Sequence, residues 1–415
     1  MKDSIISNIN DPKELEKLYR MNPSAFRHEF NLIYPELINT QLADFWNVRL
    51  NYENNTESTG SKRGELKFVI IASLFAAIIA KIPYFFQVDE NFFYMRNIGF
   101  IVFPVLTFYF AKNNNLPKIK MLIAASAFLI SAVFINSLPL NNSSHTLILS
   151  CIHLPLFLWT VSGFAFAGDR LNDYQKRPDF LRFNGDFIVI TTIMLISGFA
   201  LTAITQGLFS LIGLKIFDFY LQFIIIPGLA ALPVVATYLI RKNPHLVSRV
   251  SPLIAKIFSP LVLITLIIYL IAIIITGKDP YNDREFLLTF NILLVGVMAL
   301  IVFSVAESSR SKRNRAEILI LFLLCLVTVI VNCFALSAIV FRISEWGITP
   351  NRLAVLGGNV LILTNLLLVT HKLFRTLFNK SDIEEVEKII SKFLTVYCLW
   401  TVIVVFIFPL VFNFR

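Results

Sequence analysis

The sequence predicts an all-α protein, a polytopic transmembrane helical bundle of about 11 spans with a small N-terminal cytoplasmic helical segment. Three observations carry that expectation. Apolar residues make up 56% of the 415-residue chain and charged residues only 15%, whereas soluble domains hold about 45–50% apolar and about 25% charged residues. Apolar runs near the roughly 20 residues that cross a bilayer core recur along most of the length. The cations between the runs fall on alternate connectors, 23 on one set and seven on the other: Arg96, Lys215, Lys278, Arg284, Arg342, Arg352 and Arg415.

Residues 1–66 read as a cytoplasmic helical extension and linker, and residues 67–415 as the transmembrane domain. Asp11-Pro12 sets an N-cap with proline in the first helical turn. Asn22-Pro23 opens a second helix. After Pro35 an amphipathic stretch carries Leu37, Ile38, Leu42, Phe45, Trp46 and Leu50. Asn51 to Ser61 is polar and suits a flexible joint. No signal-peptide hydrophobic region precedes the first apolar run, so that run must direct membrane insertion. Residues 11–50 are the expected seat of any cytosolic protein partner.

The expected spans are 68–86, 98–111, 121–140, 147–167, 187–204, 219–240, 257–276, 286–305, 318–341, 353–370 and 393–412. The charge asymmetry is the positive-inside pattern, which places the N-terminus in the cytoplasm and the C-terminus outside it. The formal charge of +10 therefore reads as contact with an anionic inner leaflet. No basic recognition helix or zinc-finger spacing supports a nucleic-acid partner. Cys151, Cys325, Cys333 and Cys398 form no C-x-x-C pair and read as small buried packing residues.

Candidate functional residues are polar or helix-breaking groups inside the apolar runs. Lys81 is the acidic or basic residue placed plainly within a span, where its stem can snorkel to the headgroups. Asn291, Asn332, Asn359 and Asn365 sit on the eighth to tenth spans, where an amide needs a partner because lipid supplies none. With Lys81 they form the candidate pocket. Pro227, Gly228 and Pro233 mark a candidate break in the sixth span, since proline removes a donor and glycine permits irregular backbone. Gly357-Gly358 admits close approach of another helix, and His153 reads as a packing or hydrogen-bonding group. Asp169 and Asp173 lie in a connector of mixed charge. Asp382 to Lys392 reads as a charge-rich surface helix beside the last span.

Between the ninth and tenth spans, Arg342, Glu345 and Arg352 flank Trp346-Gly347-Ile348-Thr349-Pro350-Asn351. Thr349 and Pro350 are a helix-restart pair, and Glu345 is expected to pair with either arginine. This stretch resembles a family of bacterial multi-pass membrane proteins classified as a domain of unknown function. The resemblance implies a bacterial inner-membrane location and a helical architecture, and it supplies no catalytic position.

No zinc-hydrolase motif and no nucleophile elbow is present, so no catalytic residue, cofactor or metal is expected. The lipid bilayer is the expected surrounding. Transport of a small solute or lipid leads the functional classes, by alternate exposure of a polar pocket among the sixth and eighth to tenth spans. A scaffold or signalling protein with a cytosolic partner is the alternative, and a lipid-modifying enzyme the third.

Overall fold

The structure, a computed structural model, describes residues 2–37, 40–56, 59–139, 141, 143–168, 176–211, 214–276, 281, 284–308, 315–378 and 382–414. Its chain divides into two compact units, Met1–Ile71 and Ala72–Arg415.

The first unit holds α1 (Lys2–Ser7), α2 (Pro12–Met21), α3 (Pro23–Ile33), a 3₁₀ turn at Tyr34–Glu36, α4 (Gln41–Thr56) and the start of α5 (Thr59–Ala80). Asp11 caps α2 by accepting from Lys13 N at 2.9 Å. The apolar positions of the four helices meet in a core of Ile5, Leu15, Phe26, Phe30, Ile33, Ala43, Trp46 and Leu50. Its centre is aromatic, with the Phe26 and Trp46 rings 5.0 Å apart and Tyr19 5.5 Å from Trp46. Arg49 closes this core from the rim. Its guanidinium lies 4.6 Å from the Trp46 ring and pairs with Glu16 at 2.7 Å. The expected flexible joint at 51–61 is instead helical on both sides of residues 57–58, because α4 and α5 extend into it; 57–58 lie outside the described residues.

The second unit is built from helices. The expected first span is interrupted at Lys81, which separates α5 from α6 (Ile82–Phe86). Pro83 has no N–H to continue α5, and it takes the second position of α6, in its first turn. Next come α7 (Glu90–Asn113), α8 (Lys118–Ser137), α9 (His145–Ala167), α10 (Lys176–Leu211), α11 (Phe217–Tyr220), α12 (Ile226–Lys242), α13 (Pro244–Thr276) and α14 (Arg284–Ser308). They are followed by α15 (Arg315–Trp346), α16 (Pro350–Leu377), α17 (Ile383–Val402) and α18 (Phe408–Val411). Among the described residues, ten helices are long and apolar enough to cross a membrane, counting α11–α12 and α17–α18 each as one continuous rod. The expectation of about 11 differs by the split first span.

Both continuous rods pass through a π-helical turn just before a proline. Ile226, which precedes Pro227, donates to Leu221 O; Phe408, which precedes Pro409, donates to Ile403 O. The wider turn lets the helix absorb a proline ring without stopping. The candidate break at Pro227, Gly228 and Pro233 is therefore a continuous helix with a π-bulge, not an unwound segment.

The largest core joins α13 to α17 and includes Leu266, Ile301, Leu324, Leu366 and Val386, together with Leu181 of α10. A second core packs α7, α8 and α9 against Val405. A third joins Ala76 and Ala80 of α5 to Ile101 of α7 and Ala230 of α12. Cys151 and Cys325 are buried as expected, but Cys333 is exposed, because it lies on the outward face of α15. The segment Asp382–Lys392 is not a separate surface helix. No breaker separates it from the last span, so it forms the first turns of α17, with Val386 and Ile390 in the core.

Candidate functional site

Three of the expected amides come together between α14, α15 and α16, and the bonds among them run in one direction. Asn291 donates to Leu287 O at 2.8 Å, which fixes its Oδ1 as a free acceptor. Asn359 donates to that oxygen at 2.8 Å. Asn332 donates to the backbone oxygen of Asn359 at 3.1 Å. A carbonyl can only accept, so the amide orientation follows from chemistry at each step. The chain of amides ends at Asn332 Oδ1, an acceptor with no donor among the described residues, on a side chain that is 0% exposed.

Asn365 lies further along α16 and belongs to a neighbouring locus. Its Nδ2 lies 3.1 Å from the Tyr397 hydroxyl on α17, and its Oδ1 is likewise buried without a partner among the described residues. Gly357 does admit a neighbour: a Cβ there would stand 2.1 Å from the Trp400 ring. Gly358 and Gly228 face open space.

Lys81 is not among the amides. It is buried and donates to Gln222 Oε1 in the first π-turn. Its ammonium lies 3.9 Å from the centre of the Tyr84 ring and 5.0 Å from that of Phe223. Two aromatic faces and one carboxamide oxygen replace the water that the ammonium gives up. This locus joins the sixth span to the interrupted first one.

The Arg342–Arg352 stretch is a helix corner. Gly347 turns the chain with φ +76° after α15, and Thr349 Oγ1 accepts from Arg352 N at 3.3 Å to start α16. Arg352 does not pair with Glu345. Its Nη1 donates to Trp346 O and Gly347 O, each at 2.7 Å, capping carbonyls that the end of α15 leaves unsatisfied. Arg342 lies 5.0 Å over the Trp346 ring. Glu345 is exposed and paired with neither arginine among the described residues. Nearby, Asn351 bonds His145 at the start of α9 at 2.8 Å. Arg96 plays the same capping part for α8, bonding the carbonyls of Ile135, Leu138 and Pro139. His153 bonds the Leu149 carbonyl of its own helix at 2.9 Å. Asp169 and Asp173 lie outside the described residues.

One charged cluster is absent from the sequence reading. Arg182, Asp186, Glu307 and Glu387 are all buried, at the cation-rich ends of α10, α14 and α17. Arg182 donates to Glu387, to Asp179 at 2.8 Å and to Ala306 O at 2.7 Å. The apolar runs stop at 187, 305 and 393, whereas the helices continue past them and carry these groups into the bundle. The signal available was the spacing of Arg182 and Asp186, one helical turn apart beside an apolar run. Among the described residues no histidine, cysteine and carboxylate side chains converge as a metal site.

The apolar rods with their satisfied backbone and internal polar contacts define an integral multi-span membrane protein. Compared with protein-family models, curated proteins and solved structures, the chain matches none.

Proposed function

We propose that the protein is a transporter for a small solute that offers hydrogen-bond donors. One observation carries the reading: the amide chain across α14, α16 and α15 ends in a fully buried acceptor, Asn332 Oδ1, unpartnered among the described residues. An orphan carbonyl in a low-dielectric interior costs about 1–3 kcal/mol. A passing N–H or O–H group relieves that cost. Asn365, paired with the Tyr397 hydroxyl, places a second amide further along α16. The positive-inside rule supports a cytoplasmic N-terminus and an extracytoplasmic C-terminus, an arrangement in which the interrupted α5–α6 rod crosses in addition to the ten long helices.

The test is stopped-flow light scattering of reconstituted vesicles challenged with glycerol, urea, erythritol or ethylammonium. The expected result is protein-dependent entry of at least one of these, reduced at least fivefold by Asn332→Leu. No flux above protein-free vesicles, or a flux that neither Asn332→Leu nor Asn365→Leu reduces, sinks the reading.

A second reading has its own observation. The first unit closes its core yet leaves Met21, Leu32, Phe45 and Val48 exposed, an apolar complement that supports a protein partner at residues 11–50. Retention of a specific protein by the intact chain, lost in Phe45→Ser/Val48→Ser, is the expected result for that reading.

A further inference from the structure

The geometry points to a charge-operated latch, centred on Arg182 and Glu387, that closes the cation-rich end of the bundle. It rests on the transport reading for its purpose, since a route with alternating access needs a closure at each end. Arg182 of α10 reaches two other helices, Glu387 on α17 and the Ala306 carbonyl on α14, and holds Asp179 on its own helix. One turn along α10, Gly185 lies directly under the Phe303 ring of α14. A Cβ at Gly185 would fall 1.9 Å from that ring. An ion pair and an aromatic plug are thus stacked in two layers across the same helices. On α17, Ser391 sits one turn from Glu387 and is itself 0% exposed. Its carbonyl accepts from Arg177 of α10 at 3.1 Å, a second tie between those two helices.

Among the described residues of the bundle, the ion pairs between helices lie at the cation-rich end, beside arginine-to-carbonyl bonds such as Arg177 to Ser391 O. At the cation-rich end, Lys256 of α13 pairs with Glu317 of α15 at 3.2 Å, and Lys372 of α16 pairs with Glu385 of α17. The described contacts at the opposite end are arginine-to-carbonyl caps and an amide–imidazole contact, as at Arg96, Arg352 and Asn351. The difference matters because a buried ion pair adds little net stability over the separated, hydrated ions. Closed, the charges satisfy one another; opened, water satisfies each. A capped helix end has no comparable second state, because its carbonyls belong to a fixed turn. The charged end is therefore the one suited to opening and closing.

The test follows alkylation of a Ser391→Cys thiol by a water-soluble maleimide in open membrane sheets, read by peptide mapping so that native cysteines serve as controls. With Glu387 present, labelling is slow. Glu387→Gln, close in size but uncharged, raises the rate at least tenfold, whereas Glu387→Asp stays within threefold and Cys325 remains unlabelled throughout. Equal labelling rates with and without the Glu387→Gln substitution would overturn the latch. So would labelling of Cys325 together with Ser391→Cys, which marks lost packing. The measurement needs no solute, so a latch that opens in a protein with no flux removes the transport reading alone.

Discussion

The Ser150 hydroxyl donates to Val405 O at 3.0 Å, the carbonyl that the missing N–H of Pro409 leaves without its helical partner. Val405 sits in the π-turn and is fully buried. A side chain on α9 thus supplies the hydrogen bond that proline removes four residues later in the chain. Ser150→Ala is expected to destabilise the protein by about 1–2 kcal/mol, measured by unfolding in mixed micelles. In a Pro409→Ala background, which restores the N–H, the same change is expected to cost less than half as much. Equal costs in the two backgrounds would show that the bond does not compensate the proline.

The amide chain makes a prediction about coupling. Asn291 and Asn359 bond side chain to side chain, while Asn332 bonds the Asn359 backbone. A double-mutant cycle of Asn291→Leu and Asn359→Leu should show a coupling of about 0.6–1.7 kcal/mol. The cycle of Asn332→Leu with Asn359→Leu should be close to additive, because the carbonyl survives the substitution.

Glycines should divide by what faces them. Gly185→Ala drives a methyl into the Phe303 ring and is expected to cost about 1–3 kcal/mol as overpacking, with recovery in Gly185→Ala/Phe303→Leu. Gly228→Ala meets open space and is expected to be neutral or to stabilise α12 by about 0.5–1 kcal/mol through helix propensity. Thermal unfolding of the two variants side by side checks both. A loss at Gly228 equal to that at Gly185 would argue for a real break in α12.

The first unit should loosen in acid. Hydrogen bonds from Arg20 and then Arg49 hold the Glu16 carboxyl below its ordinary range. A lowered folded value means that the contribution is present above the unfolded carboxyl value of about 4.3 and is lost as pH falls through the folded one. Hydrogen exchange in α2 and α4, corrected for the intrinsic rate, should therefore accelerate below about pH 4. Glu16→Gln should flatten that dependence. Identical pH profiles for the two proteins would assign the acid response elsewhere.

The pattern of residues showed unevenly through the sequence. Helix spacing was legible because each apolar run has to match a bilayer thickness, and the restart at Thr349-Pro350 because an N-cap is a local device. Asn291, Asn332 and Asn359 were legible as misplaced polar groups, but not which amide faces which. Lys81 stood out, whereas its partner Gln222, far along the chain, did not. Glu345 looked like the natural partner of Arg352, yet the carbonyls at the end of α15 lie nearer and hold it. Arg182, Asp186, Glu307 and Glu387 escaped notice because apolar runs end where charges begin, while helices do not.

By itself the sequence determined that lipid surrounds this chain and that its connectors differ in charge from one side to the other. Those properties depend on composition and periodicity, which bilayer thickness and interfacial charge read residue by residue. Only the tertiary structure decided that Ser150 bonds the Val405 carbonyl left open by Pro409, that Arg182 ties three helices, and that the amides form a chain with an open end. Each of those depends on groups that are distant in sequence and brought together by helix packing, where a hydrogen bond forms or fails over a few tenths of an ångström.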